Sequence, residues 1–124
     1  MTSEHNKTYD TVSKAVKAQY PKAFTTGVYT PSVEAFPCVA MVEINNVPYA
    51  GASTLTNYEN LTYVTEEIEI FTKGAKASSQ GFAICKIVDD EMSAMNYERT
   101  YSSVIPNRDD PDIWRYIMRY RKLI

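Results

Sequence analysis

Arginines stand at positions 115, 119 and 121, inside a run, residues 113–123, that alternates strictly. In an extended chain, residues two or four apart point to the same side. These three guanidinium groups therefore share a face with Ile113 and Ile117, while Trp114, Tyr116, Met118 and Tyr120 share the other. Guanidinium groups in a row can track a phosphate backbone or pair with carboxylates in charge-assisted hydrogen bonds. The carboxylates are at hand in Glu66, Glu67 and Glu69, within residues 61–71. Pairing is expected either across strands of one subunit or between subunits, and an exposed pair contributes only about 0.2–1 kcal/mol. The densest acidic cluster is Asp89-Asp90-Glu91. On a helix, consecutive residues point in different directions, so these three do not converge on one ion. A solvated face is expected there, with Asp89 placed at its edge to meet a cation on a neighbouring strand.

Other chemistry has little to work with. The single histidine, His5, lies near the N-terminus, and the cysteines Cys38 and Cys85 are far apart in sequence. Zinc sites need clustered cysteine and histidine. The four glycines form no phosphate loop or dinucleotide fingerprint, and no Gly-x-Ser-x-Gly elbow is present. No catalytic residue, metal or cofactor is expected. A small α+β enzyme using Asp89, Glu91 and tyrosines is a rival reading, but it lacks a convergent nucleophile and base. Net charge of −2 argues against a general nucleic-acid binder. Ten tyrosines in 124 residues are many; tyrosine suits surfaces buried only on assembly, or it lines a half-wet sheet. A monomeric module using a tyrosine face for a peptide or nucleic acid is a third reading.

The elements that must hold these residues follow from periodicity. Residues 5–20 place Tyr9, Val12, Val16 and Tyr20 at helical spacing. Thr2 or Ser3 stands ready as a cap, and Pro21 ends the helix. Residues 23–29 read as a short strand. Residues 38–45 form an apolar run broken only by Glu43, which predicts a central, buried strand, with Asn45-Asn46 as a turn. Residues 47–60 carry few apolar groups and predict a projecting arm with Tyr49 and Tyr58, since so long a loop is uncommon unless functional. Residues 61–71 alternate. Residues 78–95 carry an apolar stripe through Gly81, Phe82, Cys85, Val88 and Met92, stopped at Asn96. Residues 96–105 read as a strand, and 106–111 as a turn closed by two prolines. The order α-β-β-β-α-β-β, in one domain over residues 1–124, predicts an α+β two-layer sandwich with two helices on one face of a mostly antiparallel sheet. No run approaches the length of a membrane span. The polar start has no signal-peptide core, so synthesis and retention in a cytoplasm, with both cysteines reduced, is expected.

Several stretches together resemble one family. They are Tyr20-Pro21, Phe36-Pro37-Cys38-Val39, Val88-Asp89-Asp90-Glu91-Met92, Glu98-Arg99-Thr100, Ile105-Pro106-Asn107, Ile113-Trp114-Arg115-Tyr116 and Arg119-Tyr120-Arg121. In order and spacing, over residues 9–122, they resemble the tail-completion, or tail-terminator, proteins of tailed bacteriophages. The resemblance implies a virion protein made in the host cytoplasm. It would assemble as a ring, usually a homohexamer, on the end of the tail tube. Its partners would be the tail-tube protein and the head–tail connector or stopper, with DNA passing through the lumen and no membrane contact. It implies no enzyme activity. A connector (adaptor or stopper) or tail-tube subunit is the near alternative. On this reading Arg115, Arg119, Arg121, Tyr49, Tyr58, Glu67 and Glu69 are expected at an interface or facing the lumen.

Overall fold

A computed structural model describes residues 3–28, 33, 35–48, 61–106 and 110–124. The element order is α1 (His5–Gln19), β1 (Phe24–Thr26), β2 (Cys38–Pro48), β3 (Thr62–Lys73), α2 (Ala77–Ala94), β4 (Glu98–Ile105) and β5 (Ile113–Leu123). The five strands form one sheet in the order β1-β2-β3-β5-β4. All neighbours are antiparallel except β1 and β2. The fold is α+β, with both helices on one face, as the pattern of the sequence predicts.

Alternation decides which face is which. On β3, Val64, Glu66, Ile68 and Ile70 turn toward the helices and are buried. On β5, Met118 and Tyr120 do the same, with Trp114 and Tyr116 partly buried beside them. Val12 and Val16 of α1 and Ile84, Cys85, Val88 and Met92 of α2 close over them to form the core. A Cβ added at Gly81 would fall inside the Trp114 ring, so glycine here lets α2 approach β5. The α2 helix ends where Asn96 takes a left-handed conformation, φ 68°, which asparagine tolerates better than most residues.

Three expectations need correction. The segment 38–45 does lie inside the sheet, between β1 and β3, but it is buried only over its first four residues. Among the described residues β1 flanks just Cys38–Ala40. Asn45-Asn46 does not turn; both residues pair with β3, and the irregularity is a bulge between Glu43 and Asn45. A bulge takes up one extra residue without reversing the chain. The first helix has Glu4 at its N-cap position with no side-chain cap bond. Ser3 instead accepts the His5 amide N–H on its Oγ at 3.3 Å. Of the expected arm, Val47 and Pro48 belong to β2; residues 49–60 lie outside the described residues.

Candidate functional site

The sheet face turned away from the helices carries the predicted arginine row. Register sets its geometry. Arg119 stands between Glu67 of β3 and Tyr101 of β4. Its Nε donates to Glu67 Oε2 at 2.8 Å, and its guanidinium lies 5.1 Å from the Tyr101 ring centre. Arg115 stands opposite Phe71 and reaches diagonally to Glu69. Both Nε and Nη2 lie 2.8 Å from Glu69 Oε2, and the guanidinium is 5.7 Å from the Phe71 ring centre. Arg121 stands opposite Glu98, donates to it at 3.3 Å, and lies 4.8 Å from the Tyr63 ring centre. Each guanidinium thus has one carboxylate and one aromatic ring. The expected Glu67 and Glu69 pairings with this row form within the single chain.

Electrostatically this ladder is closed. Three cations meet three anions, so it presents little net charge to a phosphate backbone. The Arg115–Glu69 pair is the most enclosed, with Glu69 buried; the other two are half exposed and correspondingly weak. Beside Glu69 the face holds buried Cys38, Ala40, Phe71 and Ile117, none of which belongs to the core under the helices. Burial, then the Glu69 carboxylate, pushes the Cys38 thiol up to about 11. Tyr49 and Tyr58, the other expected interface residues, lie outside the described residues.

Glu66 does not join the arginines. It faces the helices, fully buried, and both its oxygens lie 3.0 Å from His5 Nδ1. Its direct neighbour across β2 is Glu43. Two carboxylates side by side on one sheet face repel, so this corner needs donors. The N-terminal turn supplies two, Ser3 and His5, while Glu4 between them is itself an acceptor. Ser3 Oγ donates to Glu43 at 3.1 Å, Glu4 pairs with Lys122 of β5 at 3.1 Å, and His5 meets Glu66 of β3. Beneath them, the buried Thr8 hydroxyl and Tyr97 hydroxyl share a 3.0 Å hydrogen bond. Burial raises the Glu66 pKa, and the His5 hydrogen bond and charge oppose that rise. An open hollow of about 530 Å³, lined by Ser3, Glu4, His5, Asn6, Lys7 and Glu43, lies over this corner. Because the Ser3 hydroxyl is held by Glu43, it makes no nucleophile–base pair with His5.

Sequence reasoning discounts His5 as a terminal residue. The signal that finds it is the pattern of acids. Glu66 falls among Val64, Ile68 and Ile70 at an inward position, and Glu43 interrupts an apolar run. Inward carboxylates demand a nearby cation or donor. The Asp89 expectation holds: it accepts the Tyr120 hydroxyl at 2.7 Å and pairs with Arg99 of β4 at 3.5 Å. Burial, with Asp89 as acceptor, raises the Tyr120 pKa, so this phenol stays protonated. Asp90 pairs with Lys86 one turn away, on the exposed side of α2. Among the described residues no group of three or more His, Cys, Asp or Glu is placed to hold a metal ion, and no helix is long and apolar enough to cross a membrane. Comparison with family models and with curated proteins finds no match for this chain.

Proposed function

We propose that this chain is a structural subunit of a tailed-bacteriophage virion, a terminator that closes the tail tube and joins it to the head. It acts with copies of itself as a ring, six-fold in the family it resembles. The observation that carries this reading is the arginine–carboxylate–aromatic ladder. It spans three strands of a sheet face that no described helix covers. A rigid, electroneutral surface studded with Tyr63, Phe71 and Tyr101 suits contact with protein, where aromatic and arginine side chains are enriched. It suits DNA poorly, because each guanidinium already has its carboxylate. Glu67, Glu69, Arg115, Arg119 and Arg121 are therefore read as a subunit or tube contact in preference to a lumen lining. The expected partners are other copies, the tail-tube protein and the head-side connector, in the neck of a particle assembled in the host cytoplasm.

The test is genetic and structural. Deleting the gene from the genome that encodes it should leave separate filled heads and unjoined tails in electron micrographs, and added protein should restore joining. Normal particles without the protein would overturn the reading. Purified protein that polymerises into long tubes, where closed rings are expected, would move the assignment to a tail-tube subunit.

A further inference from the structure

The first turn of α1 has little local support. Glu4 at its N-cap makes no side-chain cap bond, and the turn holds no acidic residue to meet the helix dipole. What holds residues 3–5 down is the sheet, through one contact to each of three strands. Ser3 meets Glu43 of β2, Glu4 meets Lys122 of β5, and His5 meets Glu66 of β3. Further along, the Thr8–Tyr97 hydrogen bond is buried, and Val12 and Val16 lie in the core. Residues 3–7 thus form a turn that can lift without opening the core, and Thr8 is where lifting would stop.

The His5–Glu66 contact differs from the other two in its burial. Glu66 is fully enclosed, while the His5 side chain is 22% exposed. Both Glu66 oxygens face one ring nitrogen, Nδ1. The other, Nε2, lies toward Gly27, where an added Cβ would stand 3.6 Å from it. The pair therefore reaches water through the imidazole. A carboxyl and an imidazole joined in this way titrate as a unit. With one proton between carboxylate and imidazole, the pair is neutral overall. Without that proton it carries a buried negative charge.

The surroundings decide which of these states the closed turn prefers. Among the described residues, Glu4, Lys7 and Tyr9 face this corner from α1, Glu43 from β2, Lys122 from β5, and Tyr97 from the link between α2 and β4. Lys122 is engaged by Glu4, and Lys7 lines the open hollow above. Burial raises the Tyr97 pKa, so this phenol keeps its proton. Glu43 stands directly across from Glu66, and its donors are uncharged: the Ser3 hydroxyl at 3.1 Å and the Asn46 amide at 3.4 Å. Loss of the shared proton therefore sets two carboxylates side by side, one of them buried. That costs free energy in a closed turn and far less in an open one, where water reaches both.

We infer that the N-terminal turn of α1 is a proton-dependent latch, closed on the sheet while the His5–Glu66 pair holds one proton and opened as rising pH removes it. The sign follows from linkage. A closed turn keeps the pair buried beside Glu43 and binds the proton more tightly than an open turn does, so rising pH favours the open form. The raised Glu66 pKa, caused first by burial, has the same direction. The latch and the tail reading are independent of each other.

His5 is the single histidine of the chain, so its ring signals in NMR report the titration of the pair directly. Amide hydrogen exchange, corrected for the intrinsic rate at each pH, reads the latch itself. The Thr8 amide donates to the Glu4 carbonyl at 3.0 Å and loses that bond when the turn lifts. Imidazoles titrate between pH 5.5 and 8.5. Across that range Thr8 protection should fall by about tenfold, the change that one pKa unit between closed and open turns produces. The fall should follow the His5 ring titration, while the Val88 amide in the middle of α2 keeps its protection. Glu66→Gln keeps the shape of the side chain but takes no charge, and should leave Thr8 protection level. Glu43→Gln removes the neighbouring charge, so it should shrink the fall and move it to lower pH; it decides the matter if Glu66→Gln does not fold. Level Thr8 protection in the unaltered protein would overturn the inference. So would a fall that persists unchanged in either variant, or an equal loss at Val88, which would mean a weakening of the whole fold.

Discussion

His5 and Glu66 show how much one residue pair can hold at a chain start. Glu66 is fully buried in the middle strand, and His5 Nδ1 is its hydrogen-bond partner at 3.0 Å. Replacing His5 by alanine leaves a buried carboxyl group without its hydrogen-bond partner, which costs about 1–3 kcal/mol. Urea denaturation at pH 6 should show that loss, and a change under about 1 kcal/mol would mean that Glu66 is held by other groups. The pH dependence has a definite sign. Burial raises the Glu66 pKa, so the native chain keeps a proton that the unfolded chain has already lost. From the ordinary carboxylate value of about 4.3 up to the raised native value, this group's contribution to stability falls as pH rises. Glu66→Gln should remove that slope in denaturation curves taken between pH 4 and 7. The cysteines make a simpler case. Burial pushes the Cys38 thiol up to about 11 and the Cys85 thiol up to about 12. Thiolate is the reactive form, so neither should react with iodoacetamide in the native protein at pH 7.5, and both should react in denaturant, as read by mass spectrometry.

At the scale of elements, α2 and β5 meet through a glycine and a tryptophan. Alanine for glycine inside a helix ordinarily gains about 1 kcal/mol of propensity. At Gly81 the new methyl group would occupy the space of the Trp114 ring. Trp114 is itself stacked on Tyr116 at 5.4 Å and edged by Phe82 at 4.9 Å, so it has little room to shift. Overpacking of this kind costs about 1–3 kcal/mol, so Gly81→Ala should lower stability in thermal or urea unfolding; a gain would show that the ring moves freely. Across the sheet, Arg119→Glu sets two carboxylates opposite each other in register with Glu67. Exposure keeps the effect small, about 0.5–1 kcal/mol in urea unfolding. The exchanged pair Arg119→Glu/Glu67→Arg should recover most of it. A swap that restores stability but not ring formation by light scattering would show that the order of charges on this face is read by a partner.

Among the described residues the molecule is a sheet covered on one side by both helices. That division of labour follows from its strands. Inward residues build one core with α1 and α2, while outward residues carry a ladder that is satisfied without a partner. A subunit built this way has its core complete within one chain, and on the proposed assembly it would meet neighbours already folded. Size-exclusion with light scattering should therefore show concentration-dependent assembly by a chain whose circular dichroism does not change. Assembly through the electroneutral ladder should also be only weakly sensitive to salt, because each guanidinium already has its carboxylate. A strong loss of assembly between low and high salt would mean that these charges pair across the contact and not within the subunit.

Periodicity in the sequence determined the helices, the strands and their faces. Period two in residues 113–123 places Arg115, Arg119 and Arg121 opposite Trp114, Tyr116, Met118 and Tyr120, and the structure keeps that division. Local chemistry also determined where α2 stops, at Asn96. Strand order was beyond it, because the apolar run at 38–45 reads the same in a central strand as in one flanked for only three residues. Which carboxylate meets which cation was decided by the fold, since register pairs Glu67 with Arg119 and packing of α1 brings His5 to Glu66 across 61 positions of sequence. Neighbours in the chain are dictated by bond geometry and side-chain period. Neighbours in space are dictated by how layers and registers settle against one another, and no short stretch of residues contains that information.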